Sequence, residues 1–235
     1  MSRTNKAARG TFQVHDMSVN LLKANDYVAD TIRRKMDEHN IFLVNMTSSA
    51  GSGKTALLEE VAKRLRDKLN MAVLGGDLET ERDSERIRAH GVTALQIVTG
   101  GICHLEAQMI MQALDQLNLE EIDLLFIENV GNLVCPASFD LGEDIRVTLI
   151  ATTEGDDKPK KYPKMFLTSD LMLVSKIDLL PYLPFSLEAV TKDALEVNKD
   201  LDVLTVSSTN GDGIDQFCDY LLGEMERKKV HQAAV

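Results

Sequence analysis

At 235 residues and 44% apolar content, the chain has material for one generous α/β domain with a sizeable core. A formal net charge of −11 argues against general binding to nucleic acid or to a membrane surface, both of which favour a basic face. No apolar run approaches a membrane span, MSRTNKAARG lacks the apolar core of a signal peptide, and three cysteines form no disulfide framework; a cytoplasmic setting is expected.

Residues 1–15 are polar and are expected to form a mobile arm, residues 16–230 a single domain, and residues 231–235 a tail. Asp16 or Ser18 would cap a helix running to about Glu38, with Leu21, Leu22, Tyr27, Val28, Ile32 and Met36 as its apolar stripe. Ile41 to Met46 is a short apolar run suited to a buried parallel strand. The glycine-rich SSAGSGKT follows, and then a helix whose Leu57, Leu58, Val61 and Leu65 recur at helical spacing. Met71 to Gly76 predicts a second strand, ending at Asp77, followed by a polar loop and a short helix stopped by Gly91.

Further strands are predicted at Ala94–Val98, Ile122–Glu128, Arg146–Thr152, Leu171–Ser175 and Val203–Ser207. Helices are predicted at Leu105–Leu117, Leu187–Asn198 and Ile214–Arg227, and the proline-punctuated GDDKPKKYP as surface loop. This alternation implies an α/β fold with a mostly parallel central sheet flanked by helices, and ligands at the carboxyl ends of the strands.

The strand–loop–helix around Gly51, Ser52, Gly53, Lys54, Thr55 and Ala56 has the form that holds phosphates. Glycines let N–H groups turn inward, and the helix N-terminus adds its dipole. Lys54 would reach the β/γ-phosphates and the Thr55 hydroxyl would hold Mg²⁺. The full P-loop pattern is met except at its first glycine, where Ser48 stands. Asp77 and Glu128 end strands on the same edge and suit Mg²⁺, directly or through water, while Gly131 can meet the γ-phosphate.

Ser175-Lys176-Ile177-Asp178 resembles the guanine-reading NKxD motif of GTPases, with Ser for Asn. Asp178 would accept two N–H bonds from guanine, which adenine cannot offer there, and the Lys176 stem could lie along the base. The shorter Ser175 is expected to weaken the strut to the P-loop. Ser207-Ser208-Thr209 follows the last strand, as does the GTPase loop that meets the guanine oxygen. Cys103-His104 and Cys135 open two loops near the phosphate edge, and thiolates with an imidazole suit Ni²⁺ or Zn²⁺. Burial in an inert role is the alternative for the thiols, and Cys218, beside Phe217 and Leu221, reads as core. Three ligands fall one short of a closed tetrahedral site, a shortage that a second protomer would meet.

The stretches ENVGNLVCPASFDLGE, TGGICHLEAQMI, GDLETERDSERIRAHG and EGDDKPKKYPKMF together resemble the HypB family, GTPases that help insert nickel into [NiFe]-hydrogenase. The resemblance runs from about Asn20 to the end of the last helix. It implies a SIMIBI-type P-loop GTPase that binds GTP or GDP with Mg²⁺, forms a GTP-promoted homodimer and works with a HypA-type nickel chaperone. Its metal site maps onto Cys103, His104 and Cys135 at the dimer interface. Its nucleotide contacts map onto Gly51, Gly53, Lys54, Thr55, Lys176 and Asp178, with Asp77 as a carboxylate near Mg²⁺. Residues 1–17 hold only His15, so neither the N-terminal cysteine motif nor the histidine-rich nickel store of some members transfers.

The charged run Lys158–Lys161 is expected to project toward a partner's nucleotide. No glutamine or arginine stands out in cis to drive hydrolysis, so turnover is expected to be slow. Competing readings are the urease-type nickel GTPase, whose compact Cys-Pro-His is not met because Ala137 follows Cys135-Pro136, and a metal-binding module with incidental hydrolysis. Partition-type ATPases are disfavoured, because Ser48 and Ser49 stand where their extra lysine would be.

Overall fold

In the computed structural model, which describes residues 14–77 and 82–233, helices and strands alternate along the chain. Helix α1 (Val14–Glu38) leads to β1 (Phe42–Ser48), α2 (Lys54–Leu65), β2 (Met71–Asp77), α3 (Arg82–Arg88) and β3 (Thr93–Val98). Then come α4 (Ala107–Leu114), β4 (Leu124–Gly131), β5 (Ile145–Ala151), and the short helices α5 (Lys158–Lys161) and α6 (Pro163–Leu167). Strand β6 (Leu171–Ser175), α7 (Leu187–Val197), β7 (Asp202–Thr205) and α8 (Ile214–Ala233) complete the order.

The seven strands form one parallel sheet in the order β3-β2-β4-β1-β5-β6-β7. This is the P-loop, SIMIBI-type arrangement. Strand β1 lies at its centre with both faces covered, and all seven of its residues are buried. Phe42, Val44 and Met46 point into one core with Leu57, Val61 and Leu65 of α2 and Phe217 and Leu221 of α8. Ile41, just before the strand, and Leu43 enter the opposite core with Ile32 and Met36 of α1 and Ile110 of α4. The period of two assigns each helix to its face. Chain order reverses across β1, which has β4 on one side and β5 on the other, so a crevice opens at their carboxyl ends.

Several sequence expectations change, beginning with the cap of α1: the helix starts at Val14, so Asp16 and Ser18 lie inside it. Leu21 and Tyr27 lie outside the α1 stripe, 54% and 73% exposed, whereas Asn25 is buried. Asn25 Oδ1 accepts the Ala107 N–H at 2.8 Å and Nδ2 donates to Asp140 O at 2.7 Å, so a polar residue at a core position satisfies the first turn of α4. The segment GDDKPKKYP is not all loop. Pro159 and Pro163 sit in the first turns of α5 and α6, where their missing N–H costs nothing. Helix α8 runs past Arg227 to Ala233, through the start of the expected tail. Lys228 explains the extension: only 14% of its side chain is exposed, and it bonds Asp144, Asp37 and the Ile41 carbonyl. The expected arm lies outside the described residues except for its last two, which begin α1. No helix among the described residues is long and apolar enough to cross a membrane.

Candidate functional site

The loop between β1 and α2 needs two left-handed residues, and both are glycine: Gly51 at φ 76° and Gly53 at φ 94°. Ser48, at the missing glycine's position, is the last residue of β1 and has no positive φ, so a side chain fits there. Its Oγ accepts from Lys54 Nζ at 2.6 Å, which parks the buried ammonium at the loop's centre. Thr55 Oγ1 donates to Glu128 Oε1 at 2.7 Å across the crevice. These two hard oxygen groups, 8% and 9% exposed at the helix mouth, fit a Mg²⁺ donor set. Asp77 closes β2 on the same edge, but its side chain lies outside the described residues.

A cavity of about 470 Å³ opens over the loop, walled by the P-loop, Gly75 and Gly76 of β2, Glu128 to Gly131 of β4, and Lys176. Ser52, Lys54, Thr55 and Ala56 all line it. Gly131 lies so close to the P-loop that an added Cβ would stand 2.7 Å from Ala50 Cα. Arg86 and Gln96 also line the wall, and sequence reasoning passed over both. Arg86 holds Glu59 with Nε and one terminal nitrogen, each at 3.0 Å. A lone arginine within a polar run carries no sequence signal that would single it out.

Ser175, though shorter than asparagine, still makes the strut. Its Oγ donates to the Ser52 carbonyl at 2.7 Å, tying β6 to the P-loop as the longer asparagine was expected to. Lys176, in the left-handed region at φ 59°, donates to the Gly51 carbonyl at 2.8 Å and passes over Gly53. Asp178 accepts from Ser207 Oγ at 2.5 Å, so the two candidate base-reading loops are joined side chain to side chain. The buried Ser207 Oγ also takes the Thr209 N–H at 3.2 Å, and Ser208 beside it is half-buried. Asp178, Ser207 and Ser208 lie beyond the cavity wall that Lys176 marks. A second glycine is forced here: Gly213, at φ 71°, leaves no room for a Cβ, which would fall 1.9 Å from Thr205 O.

Cys103, His104 and Cys135 converge. One ligand atom from each lies within 4.8 Å of the others. The two sulfurs are 2.9 Å apart, and His104 Nδ1 is 3.9 Å from Cys103 Sγ. Asn132 joins the two loops by donating to the Cys103 carbonyl at 3.2 Å and accepting the Val134 N–H at 2.9 Å. The Cys135 contact raises the Cys103 thiol above its ordinary pKa, with burial and the neighbouring charge adding to the effect. His104 stacks on Phe139 with centroids 4.1 Å apart, and its buried Nε2 lies 3.5 Å from Glu106 Oε1. That places Nδ1 toward the thiols, while the buried Nε2 makes no hydrogen bond, so Glu106 stands near the imidazole without orienting it as a metal-binding histidine's carboxylate does. Cys218 stands apart in the core as expected, 4% exposed, and burial pushes its thiol up to about 11.

The expected projection of Lys158–Lys161 is modest within the chain. Lys158 Nζ turns back onto the Glu154 carbonyl at 2.6 Å, while the exposed Lys160 and Lys161 pair with Asp193 and Asp157.

Comparison with known proteins places this geometry. The family described as CobW/HypB/UreG, nucleotide-binding domain, matches residues 42–205. Hydrogenase maturation factor HypB of Escherichia coli (strain K12) is 47% identical over 206 residues, 88% of this chain and 71% of that protein. Hydrogenase/urease maturation factor HypB of Helicobacter hepaticus is 42% identical over 217 residues, 91% of this chain and 88% of that one. The crystal structure of HypB from Helicobacter pylori in complex with nickel superposes with a TM-score of 0.84 at 39% identity, covering 87% of this chain and 96% of that one. The chain belongs to the HypB family of hydrogenase maturation factors, within the CobW/HypB/UreG class of nucleotide-binding proteins.

Proposed function

We propose that this protein is a GTP-hydrolysing metallochaperone that carries nickel, or zinc in its place, and assists nickel insertion into [NiFe]-hydrogenase. One observation carries the reading. Two thiols and an imidazole converge within 4.8 Å on loops leaving the sheet edge that also forms the phosphate cavity. Nickel in the complex of the Helicobacter pylori relative supports it.

The P-loop amides and Lys54 bind the phosphates of GTP, and Asp178 with Ser207, Ser208 and Lys176 holds guanine. Mg²⁺ would be held by Thr55 and Glu128, with Asp77 beside them, and would offset phosphate charge when bound. Ser52 and Ala56, which line the cavity, complete the phosphate loop. Hydrolysis is slow: Arg86, the one arginine among the described residues of the cavity wall, is held by Glu59.

Nickel is cargo. Cys103, His104 and Cys135 supply three ligands, and a second protomer supplies the rest in a GTP-promoted homodimer. Nucleotide state then sets both dimerisation and transfer to a HypA-type chaperone. The lysines of α5 would reach toward the partner's nucleotide. A second client, urease, is favoured by the name of the Helicobacter hepaticus relative.

The test is GTP turnover with Mg²⁺ in the wild type and in Lys54→Ala. Phosphate release above the mutant's, with GTP preferred over ATP, is expected. Equal rates would reduce the protein to a nucleotide-responsive metal-binding module.

A further inference from the structure

Leu105, the residue after His104, is gripped by both strands that carry nucleotide-site carboxylates. Its N–H donates to Asn129 Oδ1 at 3.3 Å, and Asn129 follows Glu128 on β4. Its fully buried side chain rests on Gly76 of β2, where a Cβ would come within 2.8 Å of Leu105 Cδ1. The His104 imidazole itself stacks on Phe139.

Two of these contacts, those with Asn129 and Phe139, end on one buried polar chain. Asn129, 2% exposed, also takes the Val130 N–H at 2.9 Å and donates to Asn45 Oδ1 of β1 at 3.2 Å. Asn45 donates to Glu143 Oε1 at 3.0 Å, and Arg146 holds the same oxygen at 2.6 Å. Arg146 then donates to the Phe139 carbonyl at 2.8 Å. Glu128, the residue before Asn129 on β4, is the carboxylate that Thr55 of the P-loop already touches. Buried polar groups are costly to leave unpaired, so a displacement at one link carries its neighbours with it.

From this joint we infer that Asn129 is the positioning residue that links nucleotide state to the stance of His104 toward Cys103 and Cys135. An adjustment of Glu128 on phosphate binding moves the end of β4, Asn129 passes it to the Leu105 N–H, and His104 follows. The inference rests on the nucleotide-gated reading above.

The experiment compares nickel affinity, by chelator competition, at saturating GDP and at saturating guanosine 5′-[β,γ-imido]triphosphate, each with Mg²⁺, on the full chain. The wild type is expected to show a ratio of about tenfold between the two states. Asn129→Ala should bind nickel in both states, with its thiolate-to-nickel absorption retained, at a ratio within about twofold of unity. A wild-type ratio of unity overturns the gated reading and this inference with it. A wild-type ratio that persists in Asn129→Ala overturns this inference alone. Hydrogen exchange at the wild-type Leu105 amide needs no variant: protection should differ about tenfold between the two states, and equal protection overturns the inference.

Discussion

Replacing Gly131 with alanine tests whether β4 supports the phosphate loop. Gly131 is not in the left-handed region, so alanine meets no backbone penalty and the perturbation is steric alone. The new Cβ would stand 2.7 Å from Ala50 Cα and 2.9 Å from Ala50 N, about 0.7 Å inside ordinary contact with backbone that no side-chain rotation can clear. In the free protein the loop can shift to relieve the clash. Phosphates require its N–H groups where they now stand, so the cost falls on binding. Overpacking of this kind costs about 1–3 kcal/mol, which is roughly a 5- to 150-fold loss of nucleotide affinity. Titration with a fluorescent GDP, alongside thermal melts, measures it. Gly223→Ala is the control: it is exposed on α8 with nothing within 4 Å of a new Cβ, and should bind GDP normally while gaining about 0.5–1 kcal/mol of stability. Gly131→Ala binding within twofold of wild type would refute the claim that β4 fixes the loop.

Two further outcomes follow from the same geometry. Ser175→Ala removes the bond to the Ser52 carbonyl, worth about 1 kcal/mol net, and should weaken GDP roughly fivefold by calorimetry; unchanged binding would mean the strut is idle. Nickel needs thiolates, and the raised Cys103 pKa means that its proton is retained to higher pH, so apparent nickel affinity should rise with pH through the neutral range. The slope should be about tenfold per pH unit for each thiol proton displaced, and chelator competition at several pH values would expose a flat profile as contrary evidence.

Much of this site is legible in the chain because its chemistry is local. Gly51, Gly53, Lys54 and Thr55 lie within five residues, and the strand and helix around them announce themselves by period. Ser175 is the opposite case. Whether its short hydroxyl reaches Ser52 depends on how closely β6 approaches the P-loop, a distance set by the whole sheet. Arg86 and Asn129 carry no sequence signal for the same reason, since each acquires its role only from what the fold places beside it. Apolarity alone points Tyr27 inward, whereas Asn25 takes the buried place because α4 offers it unpaired backbone to satisfy. The prolines of α5 and α6 read as loop punctuation in the sequence, although at a first turn they begin helices.

The central claim is that Cys103, His104 and Cys135 form a nickel site under nucleotide control. Bound nickel and zinc per protomer, measured after dialysis with GDP and with a non-hydrolysable GTP analogue, tests it directly, with Cys103→Ala and Cys135→Ala alongside. Metal that requires both thiols, changes with nucleotide and approaches one ion per dimer with the analogue is the predicted result. Metal content indifferent to both substitutions would contradict the account and leave the thiols structural.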